Sequence, residues 1–323
     1  MPIAYQRAWT DANGRLFAYR SDSNGDPLHQ RPESIGFERY YYSQILPDGT
    51  RDNESFEDLF GRVETDWPGV IAALDARQFT SRTLRCLYQM ATIMRTRGPA
   101  ARDYNESLMV LETRTSLKAF KDMGKLPEKL ERYENELDTV EVTIDRQRTL
   151  GKMSDDMKRF AELTIGLGFE IVENQTGIDF ITSDNPVAYY DAKDRGIRQP
   201  YYESNTLELW FPLSPRHVLH GSHRLARNGQ IPGFRTLTDA DTVYAINRTT
   251  ARFGYRLILA RDTSQAELIS QHARTSPVLH ARVVRTPRKI DYHIGHKFGS
   301  RPDLVTFRPE LCEGDLYEED FRI

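Results

Sequence analysis

A chain of 323 residues with 39% hydrophobic, 11% aromatic and 28% charged side chains carries enough large apolar groups to fill a core, which excludes the disordered class. Its 44 Lys and Arg stand against 47 Asp and Glu, a formal net charge of −3. No field of one sign therefore points to nucleic acid or a membrane surface as a bulk partner.

The first fifty residues predict strands joined by turns. Arg15-Leu16-Phe17-Ala18-Tyr19-Arg20 alternates between Asn13-Gly14 and Asn24-Gly25-Asp26-Pro27, and Phe37 to Tyr42 precedes the turn Pro47-Asp48-Gly49. From about Ser55 the period becomes helical. Phe56, Leu59, Phe60 and Val63 share a face, with Asn53 or Ser55 as N-cap. A second helix starts near Ser81 and stops around Gly98-Pro99, and a third runs from near Asp103 to Met123-Gly124. A charged fourth is expected from Glu128 to about Val140. A fifth carries Met157, Phe160 and Leu163, with Ser154 as its cap.

Beyond Gly168 short runs of aromatic and β-branched residues return: 169–172, 178–182, 187–190, 207–211 and 218–220. A helix follows near Asp239 with Val243, Ile246 and Asn247 on one face, and another spans roughly Ser264 to Ala273. The expected fold class is α+β: an N-terminal β segment, a helical middle, and a mainly antiparallel C-terminal sheet with flanking helices. The regions are 1–52 (β-rich), 53–167 (helical), 168–289 (sheet plus two helices) and 290–323 (an irregular tail). A single domain over 1–323 is expected, with the N-terminal strands joining the later sheet.

Two cysteines, Cys86 and Cys312, form no metal-type pair; their scarcity fits a reducing cytosol, and a disulfide between them stays open. No cationic start leads into an apolar run, and no apolar stretch approaches the roughly 20 residues of a membrane helix. The expectation is a soluble, cytoplasmic protein without a membrane partner.

Phe180-Ile181-Thr182-Ser183-Asp184-Asn185-Pro186-Val187 resembles the signature of the domain of unknown function 4238 family, and Phe211-Pro212-Leu213-Ser214-Pro215 resembles its following strand. Arg95-Thr96 at a helix end, and Asn247 followed by Arg252 and Phe253, are similar to two further family elements, in the same order. Pro2, Tyr5, Arg7 and Trp9 match the back half of the family's opening, while the His-Tyr that precedes Pro2 in relatives is not in this sequence: either this member lost the element or the start is placed late. If that His is chemically important in relatives, the resemblance implies an impaired member here. The resemblance brings fold and site location but no reaction.

Two readings of chemistry stand. Ser183-Asp184-Asn185 at a strand end projects short polar groups where function concentrates, and equally forms an Asx-type turn. In the first reading the chain is a hydrolase acting on a phosphate-bearing substrate, up to a metal-dependent nuclease acting on nucleic acid. Asp184 and Glu208 would hold Mg²⁺ or Mn²⁺ or act as base, and Asn185 would orient the substrate. Arg95, Arg97, Ser183 and Asn247 would bind it. Trp210 stands where a lysine would follow the second acid. In the second reading the same corner is a non-catalytic module recognising an anionic ligand or a partner protein. His217, His220 and His223 on a strand alternate faces and do not make a zinc site, and no Walker, Rossmann, Gly-x-Ser-x-Gly or His-Glu-x-x-His pattern occurs.

Overall fold

The computed structural model describes residues 1–20, 26–36, 44–45, 50–52, 55–137, 142–144, 146–192, 206–225, 231–273, 275–285, 290–299 and 310–313. The expected strand 37–42, the turn 47–49 and the cap Asn53 lie outside them.

The chain opens with helix α1 (Ile3–Gln6) and a 3-10 turn, Arg7–Trp9, rather than the strands expected at the very start. Strands β1 (Leu16–Arg20) and β2 (Leu28–Gln30) and the short pair β3 (Gln44–Ile45) and β4 (Arg51–Asp52) follow. Five helices come next: α2 (Ser55–Asp75), α3 (Ser81–Thr96), α4 (Pro99–Asp122), α5 (Glu128–Glu131) and α6 (Arg146–Ile165). Thr80 caps α3: its side chain accepts from the Thr83 amide while the Thr83 hydroxyl accepts from the Thr80 amide, so two orphan donors of the first turn are satisfied. Helix α4 begins four residues before the expected Asp103 because Pro99 suits a first helical position, where no N–H is needed. Helix α5 is a single turn, shorter than expected. Helix α6 starts well before Ser154, which lies inside it and caps nothing.

The second half holds β5 (Gly168–Asn174), β6 (Thr182–Ser183), β7 (Ala188–Asp191), β8 (Leu207–Ser214), β9 (His217–Ser222) and β10 (Gly233–Leu237). Helix α7 (Ala240–Phe253) is capped by Asp239, whose carboxylate accepts from the Asp241 and Thr242 amides. Strand β11 (Leu257–Ala260), helix α8 (Ala266–His272) and strands β12 (Ser276–Arg285), β13 (Ile290–Gly299) and β14 (Glu310–Glu313) complete the described chain. The stretch after Ile290 was expected to be irregular. Instead β13 pairs antiparallel with β12 along its whole length, from Ser276↔Gly299 to Arg285↔Ile290, so backbone pairing overrides a Gly- and charge-rich composition.

Strands β10-β5-β9-β8-β7 form a five-stranded sheet, antiparallel except for the β10–β5 pair. Alternation puts Phe169, Ile171, Leu209, Phe211 and Leu219 on one face. There they join Phe60, Val63, Trp67, Val70 and Leu74 of α2, the buried stripe of α3, and Leu150, Met153 and Phe160 of α6 in the largest core cluster. The opposite face contributes Val172 and Val218, which pack with Phe180 and with Val243 and Ile246 of α7. The fold is thus α+β with a largely antiparallel sheet between helical layers.

A second sheet, ordered β2-β1-β11-β6, ties the start of the chain to its later half: Phe17 pairs with Ala260 and Ile258 with Ser183. The first turn of the chain is pinned to the same region. The Tyr5 hydroxyl donates to the Pro212 carbonyl at 2.6 Å and lies 2.6 Å from Thr182 Oγ1, and the Trp9 indole donates to the Phe180 carbonyl at 3.1 Å. Both rings are fully buried, and burying each contributes roughly 1.5–3 kcal/mol. These anchors bring the opening segment, the Phe-Ile-Thr-Ser-Asp-Asn-Pro-Val run and the Pro-Leu-Ser-Pro strand end into one place.

Candidate anion-binding site

The corner after β6 is built from backbone outward. Ser183 is buried, and its Oγ accepts from the Asn185 amide at 3.3 Å, closing the turn. Asp184 points the other way: Oδ1 accepts from the Tyr255 amide at 2.8 Å and Oδ2 from the Arg256 amide at 2.9 Å, while its own amide donates to the Leu257 carbonyl at 3.0 Å. The carboxylate therefore clamps the loop between α7 and β11. Burial pushes its carboxyl above the usual carboxylate range, against the downward pull of those amides.

Asn185 is 2% exposed, and its neighbours fix its orientation. Nδ2 donates to the Phe253 carbonyl at 2.9 Å, so Oδ1 is left as an acceptor, and Arg95 Nη1 donates to it at 3.1 Å. The Arg95 guanidinium lies over the Tyr189 ring, 4.5 Å from its centroid. Gly98 permits this approach of α3 and α4 to the corner, since a Cβ there would come within 3.0 Å of the Asp184 carbonyl oxygen. Arg95 thus meets the signature, at Asn185 rather than at Asp184.

The two neighbouring arginines differ from Arg95. Arg97 donates to Glu64 at 2.9 Å and lies over Phe60, and Arg102 pairs with Glu106 at 2.9 Å within α4. Among the described residues Arg95 has no carboxylate within ion-pair distance, although it is only partly exposed. Holding a guanidinium there without a counter-ion is costly. Asp156 of α6 is the nearby acid. Burial raises its pKa, opposed by the 2.5 Å bond from Asn105 and by the charges of Lys152, Arg159 and Arg95. Asp156 sits three residues after Met153 and four before Phe160, within the apolar stripe of α6. An acid in such a stripe is the sequence signal that would have found it.

Glu208 belongs to a different network. Its Oε2 lies 2.5 Å from His220 Nε2, and its Oε1 accepts from the Ser222 hydroxyl at 3.2 Å. His220 Nδ1 faces Glu170 at 2.8 Å, Glu170 accepts from Arg235 Nε at 2.9 Å, and Trp210 stacks on the His220 ring at 3.9 Å. The imidazole stands between the two glutamates, which keeps their oxygens on opposite ring edges. No described contact joins Glu208 to Asp184. Among the described residues no group of three or more His, Cys, Asp or Glu is placed to hold a metal ion. His217 pairs with Ser214 at 3.1 Å, apart from His220 as strand alternation requires.

Asn247 is fully buried in α7 and holds the backbone at the start of the signature and just before it. Its Oδ1 accepts from the Ile181 amide at 3.1 Å, and Nδ2 donates to the Asp179 carbonyl at 2.9 Å.

The fold and this corner define an α+β protein in which the end of α3 meets the signature turn through Arg95 and Asn185. A family model described as Protein of unknown function (DUF4238) matches residues 1–264, and the chain belongs to that family. No curated protein and no solved structure matches it. Among the described residues no helix is long and apolar enough to cross a membrane.

Proposed function

We propose that the protein is a binding module that recognises an anionic group, a carboxylate or a phosphate, at Arg95. One observation carries this reading: Arg95 is held by Asn185 and Tyr189, yet has no carboxylate partner among the described residues. A guanidinium with one edge and one face already engaged keeps its remaining N–H groups in a set direction, which suits two-point recognition of an oxyanion. Binding is favoured over hydrolysis because both Asp184 oxygens accept backbone amides and Glu208 is engaged by His220 and Ser222. The pairing of β1 with β11 supports one continuous domain.

Calorimetric titration of the purified protein with inorganic phosphate and with succinate tests the proposal. Saturable binding that weakens about 10-fold or more in Arg95→Ala, and is only partly restored by Arg95→Lys, is expected. Binding indifferent to Arg95 would overturn it. Cleavage of DNA or RNA that requires Mg²⁺ or Mn²⁺ and vanishes in Asp184→Asn would replace it with the hydrolase reading.

A further inference from the structure

Helices α7 and α8 border a cleft of about 610 Å³, within the size range of small-molecule sites. Arg248 of α7 and Gln265, Gln271 and His272 around α8 line it. Gln265 is only 3% exposed, and a chain of hydrogen bonds fixes which way its amide turns. The Ile181 amide can only donate, so Asn247 must present Oδ1 to it, and Asn247 Nδ2 then faces the Asp179 carbonyl and Gln265 Oε1, the latter at 3.4 Å. Gln265 Nε2 is left over. Among the described residues it has no acceptor, so on a largely buried side chain this is the donor left for the cleft.

Arg248 likewise has no hydrogen-bond or ion-pair partner among the described residues. Burial, and then the charges of Arg248 and Arg252, lower the pKa of His272, so a neutral ring faces the cleft at pH 7. A fixed amide donor, an unpaired guanidinium and an imidazole thus converge on one hollow. We propose that this cleft is a second binding site, taking a small molecule through a single carboxylate or phosphate group held by Arg248 and Gln265. Asp241 and Glu267 also line the cleft, and their charge opposes any anion, a polyanion such as a nucleic-acid strand most of all, so the bound group has to sit at Arg248. Glu267 already accepts from Gln271 at 3.2 Å. The inference does not rest on the Arg95 reading, because the two sites share no residue.

NMR titration of the full chain with sodium phosphate, and separately with sodium acetate, at constant ionic strength tests it. Saturable movement of the Gln265 side-chain amide and His272 ring signals is expected with at least one of the two anions, and which anion acts identifies the group recognised. Arg248 is exposed, so Arg248→Ala should keep the wild-type spectrum elsewhere while weakening that response about 10-fold or more. Gln265→Met should weaken it as well, and Arg95→Ala should leave it unchanged. Linear, non-saturating shifts with both anions would overturn the proposal. So would a response that survives Arg248→Ala, or one that disappears in Arg95→Ala.

Discussion

Replacing Asp184 separates a structural carboxylate from a reactive one. Its two oxygens each accept a backbone N–H, at 2.8 and 2.9 Å, from residues 71 and 72 positions later in the chain. A hydrogen bond to a charged group contributes roughly 1.5–3 kcal/mol, so Asp184→Ala removes about 3–6 kcal/mol and strands two amides in a buried loop. Asp184→Asn keeps one acceptor and turns a donor toward the other amide, a loss of about half that size. For a chain of 323 residues the unfolding entropy is roughly 0.7 kcal/mol/K, and the Ala change should lower Tm by about 4–9 °C. Scanning calorimetry reads this directly, and phosphate titration of the folded Asn variant should show wild-type affinity. A Tm within about 1 °C of wild type in Asp184→Ala would refute the reasoning, because such a carboxylate would not be holding the Tyr255–Arg256 backbone.

Three further outcomes follow from packing and burial. Gly221→Ala should destabilise by about 1–3 kcal/mol in urea titration, since the added Cβ would lie 2.7 Å from Phe169 Cε1 and 3.3 Å from Leu167 Cδ1 in the main core. Cys86 is 2% exposed and burial pushes its thiol up to about 12, so peptide mapping after iodoacetamide treatment should find it unlabelled in the native protein and labelled once urea is added. Asp156 has a folded pKa raised above its usual 3.8, so its protonated form is the one that folding favours. The stability it contributes is complete below about 3.8 and is lost as pH rises through the higher folded value. Asp156→Asn should therefore flatten the fall in urea stability above that pH and leave the protein at least as stable as wild type at pH 7; a variant with the wild-type pH slope would contradict this.

Local patterns made much of this fold legible. The helical spacing of Phe60 and Val63 marks α2, although Leu59, expected on the same face, is 46% exposed, and the expected starts near Ser81 and Asp239 agree with α3 and α7. The β-branched and aromatic runs at 169–172 and 207–211 lie within β5 and β8. These features depend on near neighbours along the chain, where period and capping are written directly in residue order. Strand β10 was missed because Gly233-Phe234-Arg235-Thr236-Leu237 has no turn-bounded apolar alternation and is held by parallel pairing with β5.

The site had to wait for the tertiary structure. The sequence alone singled out Asp184, Asn185, Arg95 and Glu208 as polar groups in suggestive places. Hydrogen bonds spanning tens of residues then assigned their roles: Asp184 clamps the Tyr255–Arg256 amides, Arg95 reaches Asn185 across 90 positions, and Glu208 turns to His220 and Ser222. A side chain's availability depends on which distant donors and acceptors the fold has already given it, and residue order does not encode that distance.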